Sequence, residues 1–406
     1  MEEHFGIDAI AVSIPRHYIA LKTLAEARGV DPAKYHEGLG IQKMAVVAPE
    51  EDPVTMATEA ARRLLMNYDV DRGAIGMVIV GSESGVDAAK PIASYVHGLL
   101  GLPSHCRTFD TKHACYGATA GLRLAANWCA QGGGRKALVI ATDIARYELG
   151  SPGEPTQGAG AVAMLVSSEP RLVAFDAHPD AVFTEDVMDF WRPNYSTTAM
   201  VDGKYSLQCY LKAAENTYEA YTRLTGVRWE DFSYLLFHVP FPKMAYKGFT
   251  RLYEMEAKKR PLPPLNEEFD RLTRPALWAN VEVGNIYSGS LYLSLAALLE
   301  GEAERVASKR IGLFSYGSGS CAEFFSGRVG PQAYLWRDRT GVAWALENRV
   351  EIDYDTYVRM RQESEAMGRD GSFRVPRGLL NGDVMFLGVR DHRRIYHSPQ
   401  RAAMVA

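Results

Sequence analysis

The chain has 406 residues, with 45 Lys and Arg against 49 Asp and Glu, a formal net charge of −4, 47% hydrophobic and 23% charged residues. That balance belongs to a soluble globular protein, long enough for two domains or one large duplicated unit. It excludes a nucleic-acid binder built on a basic domain, and no apolar run is long enough to cross a bilayer.

In chain order, residues 54–66 carry the apolar spacing of a helix. Ile75 to Val80 reads as a buried strand running into Gly81-Ser82-Glu83-Ser84-Gly85. Ala118, Leu122, Ala125 and Cys129 recur at helical spacing, predicting a helix that begins near Cys115 and ends at Gly132-Gly133-Gly134. Lys136 to Thr142 is a second strand, followed by Asp143, and Ala159 to Val166 a third. Tyr234 to Val239 is a fourth. Residues 258–275, with four prolines, read as irregular or as a helix edge. A helix over 291–300 precedes a fifth strand, Ile311 to Ser315, which leads into Tyr316-Gly317-Ser318-Gly319-Ser320. Residues 331–380 give no clear pattern. The alternation is that of an α/β protein.

The five cysteines, Cys106, Cys115, Cys129, Cys209 and Cys321, include no C-x-x-C pair. An odd number without metal spacing fits a reducing compartment and free thiols. Met1-Glu2-Glu3-His4 is acidic and lacks an apolar segment, so no signal peptide is expected and the protein is placed in the cytoplasm.

Glu83, His238 and Ser318 each fall at or just past the carboxyl end of a predicted strand, where ligands gather in α/β sheets. Cys115 falls at a helix start, where free N–H groups favour thiolate over thiol. Each residue has an ordinary alternative: a buried inert cysteine, a solvated loop carboxylate, a satisfied core histidine, a ligand-free Gly/Ser turn. Lys243 and Lys247 are suited to phosphates or else form a solvated face. The residues together describe a Cys/Glu/His cleft, in which a sulfur nucleophile forms a covalent intermediate while a carboxylate and an imidazole handle protons and carbonyl charge. Residue types alone leave the substrate open.

At these motifs the chain resembles the hydroxymethylglutaryl-CoA synthase family of bacterial type. The segments that carry the likeness are SESGVDAAKP, ACYGATAGL, VIATDIARY, GEPTQGAGAVAM, TEDVMDFWRP, FHVPFPKM, VGNIYSGSLYLSL and LFSYGSGS. It runs from Gly6 to about Ser326, weakens over 251–280 and resumes near Asp391 to His397. The resemblance implies a thiolase-like, five-layered αβαβα fold of two related halves. Residues 1–170 would carry Glu83 and Cys115, and 171–406 would carry His238 and the loop 316–320.

It also implies the chemistry. Cys115 takes an acetyl group from acetyl-CoA, Glu83 removes a methyl proton, and the carbanion attacks acetoacetyl-CoA with His238 polarising the ketone. Water then frees the product. The thioester oxygen would rest on the N–H groups of Cys115 and Ser318. Asn285, Tyr287, Tyr147, Thr156, Phe190 and Ser206 would line the acyl pocket, Asp143 and Asp189 would support Cys115 and its neighbours, and Lys243 and Lys247 would meet the CoA phosphates. No metal or redox cofactor is implied, and a homodimer is expected. His113 stands where relatives often carry a carboxylate or an amide, and residues 331–380 do not align.

The nearest rival is a polyketide β-branching synthase, whose substrates ride on an acyl carrier protein. The segment around His238 and its lysines favours CoA. A catalytically silent scaffold on the same fold is the alternative from another class, opposed by the presence of Cys115, Glu83 and His238 together.

Overall fold

Ten strands form one hydrogen-bonded sheet in the computed structural model, among the described residues 5–176, 181–366 and 371–400. The signal-peptide reading of Met1 to His4 lies outside them. In chain order the strands are β1 (Gly6–Ser13), β2 (Ile75–Gly81), β3 (Arg107–Thr111), β4 (Lys136–Ile144), β5 (Ala159–Ser167), β6 (Val173–Phe175), β7 (Ala181–Thr184), β8 (Tyr234–Phe237), β9 (Arg310–Gly317) and β10 (Cys321–Val329). Their spatial order is β8-β9-β10-β6-β1-β5-β4-β2-β3, with β7 beside β10.

The order contains a repeat. In one half β2 runs parallel to β4, which pairs antiparallel with β5, and β5 with β1. In the other, β8 runs parallel to β9, which pairs antiparallel with β10, and β10 with β6 and β7. Short β6 joins the halves by pairing with both β1 and β10.

The principal helices are α1 (Pro53–Asn67), α2 (Ile92–Leu100), α3 (Gly117–Cys129), α4 (Gly203–Thr225), α5 (Pro242–Ala257), α6 (Gly289–Gly301) and α7 (Tyr354–Ala366). α1 starts cleanly because Asp52 and Thr55 form a reciprocal capping box with Pro53 at the first helical position. α1 and α2 cover the outer face of the first half, and α4 and α5 that of the second. α3 and α6 lie between the halves, and α6 is buried from Gly289 through Leu299, as a helix apolar on every side must be. The Thr119 hydroxyl is 2.7 Å from both the Tyr292 and Ser315 hydroxyls, pinning α3 to α6 and β9. Helix, sheet, helix, sheet, helix makes five layers.

The repeat extends to a backbone detail. Cys115 and Tyr287 both have positive φ, 60° and 49°, and each stands two residues before a central helix that opens on glycine. Non-glycine residues seldom take this conformation. The two meet in one cluster at the helix ends.

The five strands read from the sequence are present, each within two residues of the expected ends. Residues 258–275 hold a short helix, Leu265–Leu272, followed by a 3-10 turn. Within 331–380, where the sequence shows no pattern, lies α7. No helix among the described residues is long and apolar enough to cross a membrane.

Candidate active site

Gly81 closes β2 where a Cβ would lie 2.2 Å from the Ala118 nitrogen, so only glycine lets the start of α3 sit against the strand end. That approach brings the Cys115 thiol to Glu83, with Sγ donating to Oε1 at 3.7 Å. Glu83 is held from both sides of its backbone. Asp143, near the end of β4, accepts from the Glu83 N–H at 2.9 Å and from the Ser82 and Ser84 hydroxyls at 3.1 and 2.9 Å. Arg192 donates to the Glu83 carbonyl. Sequence reasoning missed Arg192, because nothing in its neighbourhood marks the partner it reaches.

Burial pushes the Glu83 carboxyl well above the usual carboxylate range, and the nearby Asp143 charge adds to the rise. Burial raises Asp143 as well. The expected thiolate at Cys115 is corrected. Its thiol is pushed well above its ordinary value, by burial first and then by the charges of Glu83, Asp143 and Asp189. The sulfur stands two residues ahead of α3, so the weak helix-end field meets burial and three carboxylates and loses. The environment thus favours the Cys115 thiol over the thiolate, with the thiol hydrogen-bonded to the Glu83 carboxyl, which when ionised can take its proton.

The Gly/Ser loop reaches the same place through another glycine. A Cβ on Gly317 would lie 2.2 Å from the Ala114 carbonyl oxygen, so this loop and the Cys115 loop touch along their backbones. His113 ties them, its Nε2–H donating to the Ser318 carbonyl at 3.1 Å. Asp189 is fully buried and accepts from the Gly319 N–H at 2.9 Å, the Tyr316 hydroxyl at 2.8 Å and the Ser206 hydroxyl at 3.1 Å. Ser206, expected in the acyl pocket, thus spends its hydroxyl on Asp189. Tyr316 and His113 are further parts of this scaffold that the sequence reading did not assign.

Tyr147, Phe190 and Tyr287 form an aromatic cluster with Ala145, against which Ala114, Cys115 and Ala199 pack. Phe190 lies 6.3 Å from Tyr147 and 5.8 Å from Tyr287 between ring centres, both edge-on. Thr156 and Asn285 are the polar side chains that act on the Tyr147 hydroxyl, while the Thr156 hydroxyl itself donates to the Gly153 carbonyl at 2.8 Å. Asn285 is fixed in turn: its N–H donates to the Thr156 carbonyl at 3.1 Å, and its Oδ1 accepts from the Tyr287 N–H at 2.8 Å. One apolar box with a polar corner therefore encloses the sulfur.

His238 follows β8 directly, and its N–H donates to the Phe314 carbonyl at 2.7 Å. The parallel register Phe237 to Phe314 sets it at the strand end that carries Ser318. Its ring is buried, with Nδ1 unpartnered among the described residues, and burial lowers its pKa to about 3. The imidazole is neutral at working pH. No hydrogen bond joins it to Cys115 or Glu83 among the described residues. Lys243 and Lys247 are exposed near the start of α5, with the Lys243 ammonium 4.8 Å over the Tyr246 ring. All five cysteines are free thiols.

Two family models match the chain. That for the N-terminal part of hydroxymethylglutaryl-coenzyme A synthase covers residues 1–170, and that for the C-terminal part covers 173–262 and 263–397. The hydroxymethylglutaryl-CoA synthase of Enterococcus faecalis is 44% identical over 363 residues, 88% of this chain and 92% of that protein. The polyketide biosynthesis 3-hydroxy-3-methylglutaryl-ACP synthase of Bacillus subtilis is 35% identical, covering 87% of this chain and 86% of its own length. A solved structure of MvaS in complex with 3-hydroxy-3-methylglutaryl coenzyme A superposes with a TM-score of 0.89 at 42% identity, over 98% of this chain and 100% of that one. The curacin biosynthetic pathway HMG synthase in complex with acetyl donor-ACP gives 0.90 at 33% identity, over 97% and 100%. With these neighbours the fold is the thiolase-like one that the sequence motifs imply.

Proposed function

Because the chain belongs to the hydroxymethylglutaryl-CoA synthase family, we propose that it condenses acetyl-CoA with acetoacetyl-CoA through an acetyl-S-Cys115 intermediate. The observation that supports this reading best is the Cys115 thiol donating to the Glu83 carboxylate at 3.7 Å inside the aromatic box of Tyr147, Phe190 and Tyr287.

Glu83 takes the thiol proton as the sulfur attacks the acetyl carbonyl, and that proton leaves with the CoA thiol. The freed carboxylate then removes a proton from the acetyl methyl. The resulting carbanion attacks the ketone of acetoacetyl-CoA, whose oxygen is polarised by the neutral His238 ring acting as a hydrogen-bond donor. The alkoxide so formed takes up a proton to give the 3-hydroxyl, balancing the methyl proton that Glu83 gives up. Water finally cleaves the Cys115 thioester and releases 3-hydroxy-3-methylglutaryl-CoA. The N–H groups of Cys115 and Ser318 receive the thioester oxygen. Thr156, Asn285, Tyr147, Phe190 and Tyr287 line the acyl pocket. Asp143 and Asp189 hold the two loops, Ser206 acting through Asp189, and Lys243 and Lys247 take the CoA phosphates as point charges. In this scheme residues 1–170 contribute the base and nucleophile, and 171–406 contribute His238 and the Gly/Ser loop. The protein works as a homodimer in the cytoplasm, without metal or redox cofactor.

The test is mass spectrometry after mixing with acetyl-CoA. One acetyl group is expected on the wild type and none on Cys115→Ala, and an unlabelled wild type sinks the proposal. Turnover of acetoacetyl-CoA compared with a carrier-bound β-ketoacyl thioester then separates the CoA enzyme from the β-branching alternative. Faster turnover of the carrier-bound substrate would transfer the function to that alternative.

A further inference from the structure

Tyr147 belongs to the aromatic box around Cys115, yet its backbone is fixed by residues far from that box. Its N–H donates to Gln157 Oε1 at 2.8 Å, and its carbonyl accepts from Arg361 Nη2 at 2.9 Å. The other guanidinium nitrogen, Arg361 Nη1, donates to the same Gln157 oxygen at 2.7 Å. The planar fork of one arginine thus bridges the two groups that bracket Tyr147, which a lysine could not do.

The network extends outward without a gap. Gln157 Nε2 donates to the Tyr357 hydroxyl at 2.9 Å, and Tyr357 donates to Glu154 Oε1 at 3.0 Å. Arg28 holds Glu154 with two bonds, at 2.9 and 2.7 Å, and Arg361 Nε is paired with Glu365. Tyr357 and Arg361 lie four apart on α7 and so share one helix face. Gln157, Glu154 and Arg361 are all buried. A fully satisfied buried network is rigid, and a partly satisfied one is costly. None of these side chains belongs to the box around Cys115, so their route to it runs through the Tyr147 backbone, whose N–H and carbonyl they hold.

We infer that Arg361 and Gln157 are positioning residues: α7 sets the Tyr147 ring against the acyl group on Cys115 and thereby the geometry of condensation. This rests on the function proposed above. Arg361→Met is expected to lower kcat for condensation about 10- to 100-fold, a size typical of small misplacements of reacting groups, with KM for acetyl-CoA changing less than about twofold. The decisive reading is a double-mutant cycle with Tyr147→Ala. If Arg361 acts through Tyr147, Arg361→Met costs less than about twofold once the ring is gone. A loss in that background equal to the loss in the wild type overturns the inference. If Arg361→Met does not fold by thermal melting, the cycle is read in the same way with Arg361→Lys, which keeps the buried charge opposite Glu365. Acetyl uptake by the wild type is measured alongside. Its absence would undo the proposed function, whereas normal uptake with an additive cycle undoes the positioning role alone.

Discussion

Glu83→Ala is expected to retain acetyl uptake on Cys115 while condensation slows by about 10²- to 10⁴-fold, the usual contribution of a placed general base. Two effects of the substitution oppose each other in the first step. The carboxylate that accepts the thiol proton is lost, but so is a negative charge that helps hold the thiol protonated. Uptake should therefore slow yet run to completion. In the second step nothing compensates, because removing a methyl proton needs a base at that position. Single-turnover acetylation and steady-state condensation, measured side by side, check this, and normal condensation by the variant would remove Glu83 from the role. The same carboxylate predicts a stability effect. Its folded pKa lies above the ordinary 4.5, so the folded state holds this proton more tightly than the unfolded chain. Stability is then lost as pH rises from about 4.5 through the raised value. Glu83→Gln removes that loss, and its gain in Tm over the wild type should grow with pH across the window. A gain that shrank with pH would contradict the direction of the shift.

What the sequence made legible was local. The five strands were readable because runs such as Ile75 to Val80 are short, apolar and followed by Gly/Ser turns, and reactive residues just past them stood out by position. The thiol state of Cys115 was not legible. A helix start can be seen in the residues that follow, but burial and the convergence of Glu83, Asp143 and Asp189 are tertiary facts. Arg192 and Arg361 were invisible for a related reason. Arg361 lies 214 residues from the Tyr147 carbonyl it holds, and its helix α7 has no apolar stripe to announce it. The Gln157 segment stood out as part of the family likeness; in the fold its amide oxygen is an acceptor shared by Arg361 and Tyr147. The family motifs supplied the pocket residues and stop short of 331–380. The C-terminal family model nevertheless matches 263–397, so the expectation that this stretch does not align is corrected, and Tyr357 and Arg361 lie within the family's match.

His238→Ala should divide the two half-reactions in the complementary way. Acetyl uptake is expected within about threefold of the wild type, while condensation with acetoacetyl-CoA falls by about 10²- to 10³-fold, as when a donor to a developing oxyanion is removed. Equal losses in both steps would contradict the role. The pH behaviour sharpens the test. Burial lowers the folded pKa to about 3 from 6.5, so no break in the rate near pH 6 should belong to this ring. A break there that vanished with His238 would mean a titrating imidazole and a different mechanism. Stability runs the other way from Glu83. The unfolded chain takes up a proton on this histidine below about pH 6.5 and the folded state does not, so the wild type loses stability as pH falls from 6.5 towards 3. His238→Ala removes that proton uptake, and its acid-side fall in Tm should be shallower than that of the wild type. The two substitutions thus separate the carboxylate from the imidazole twice, once by the half-reaction each impairs and once by the direction in which pH moves each stability.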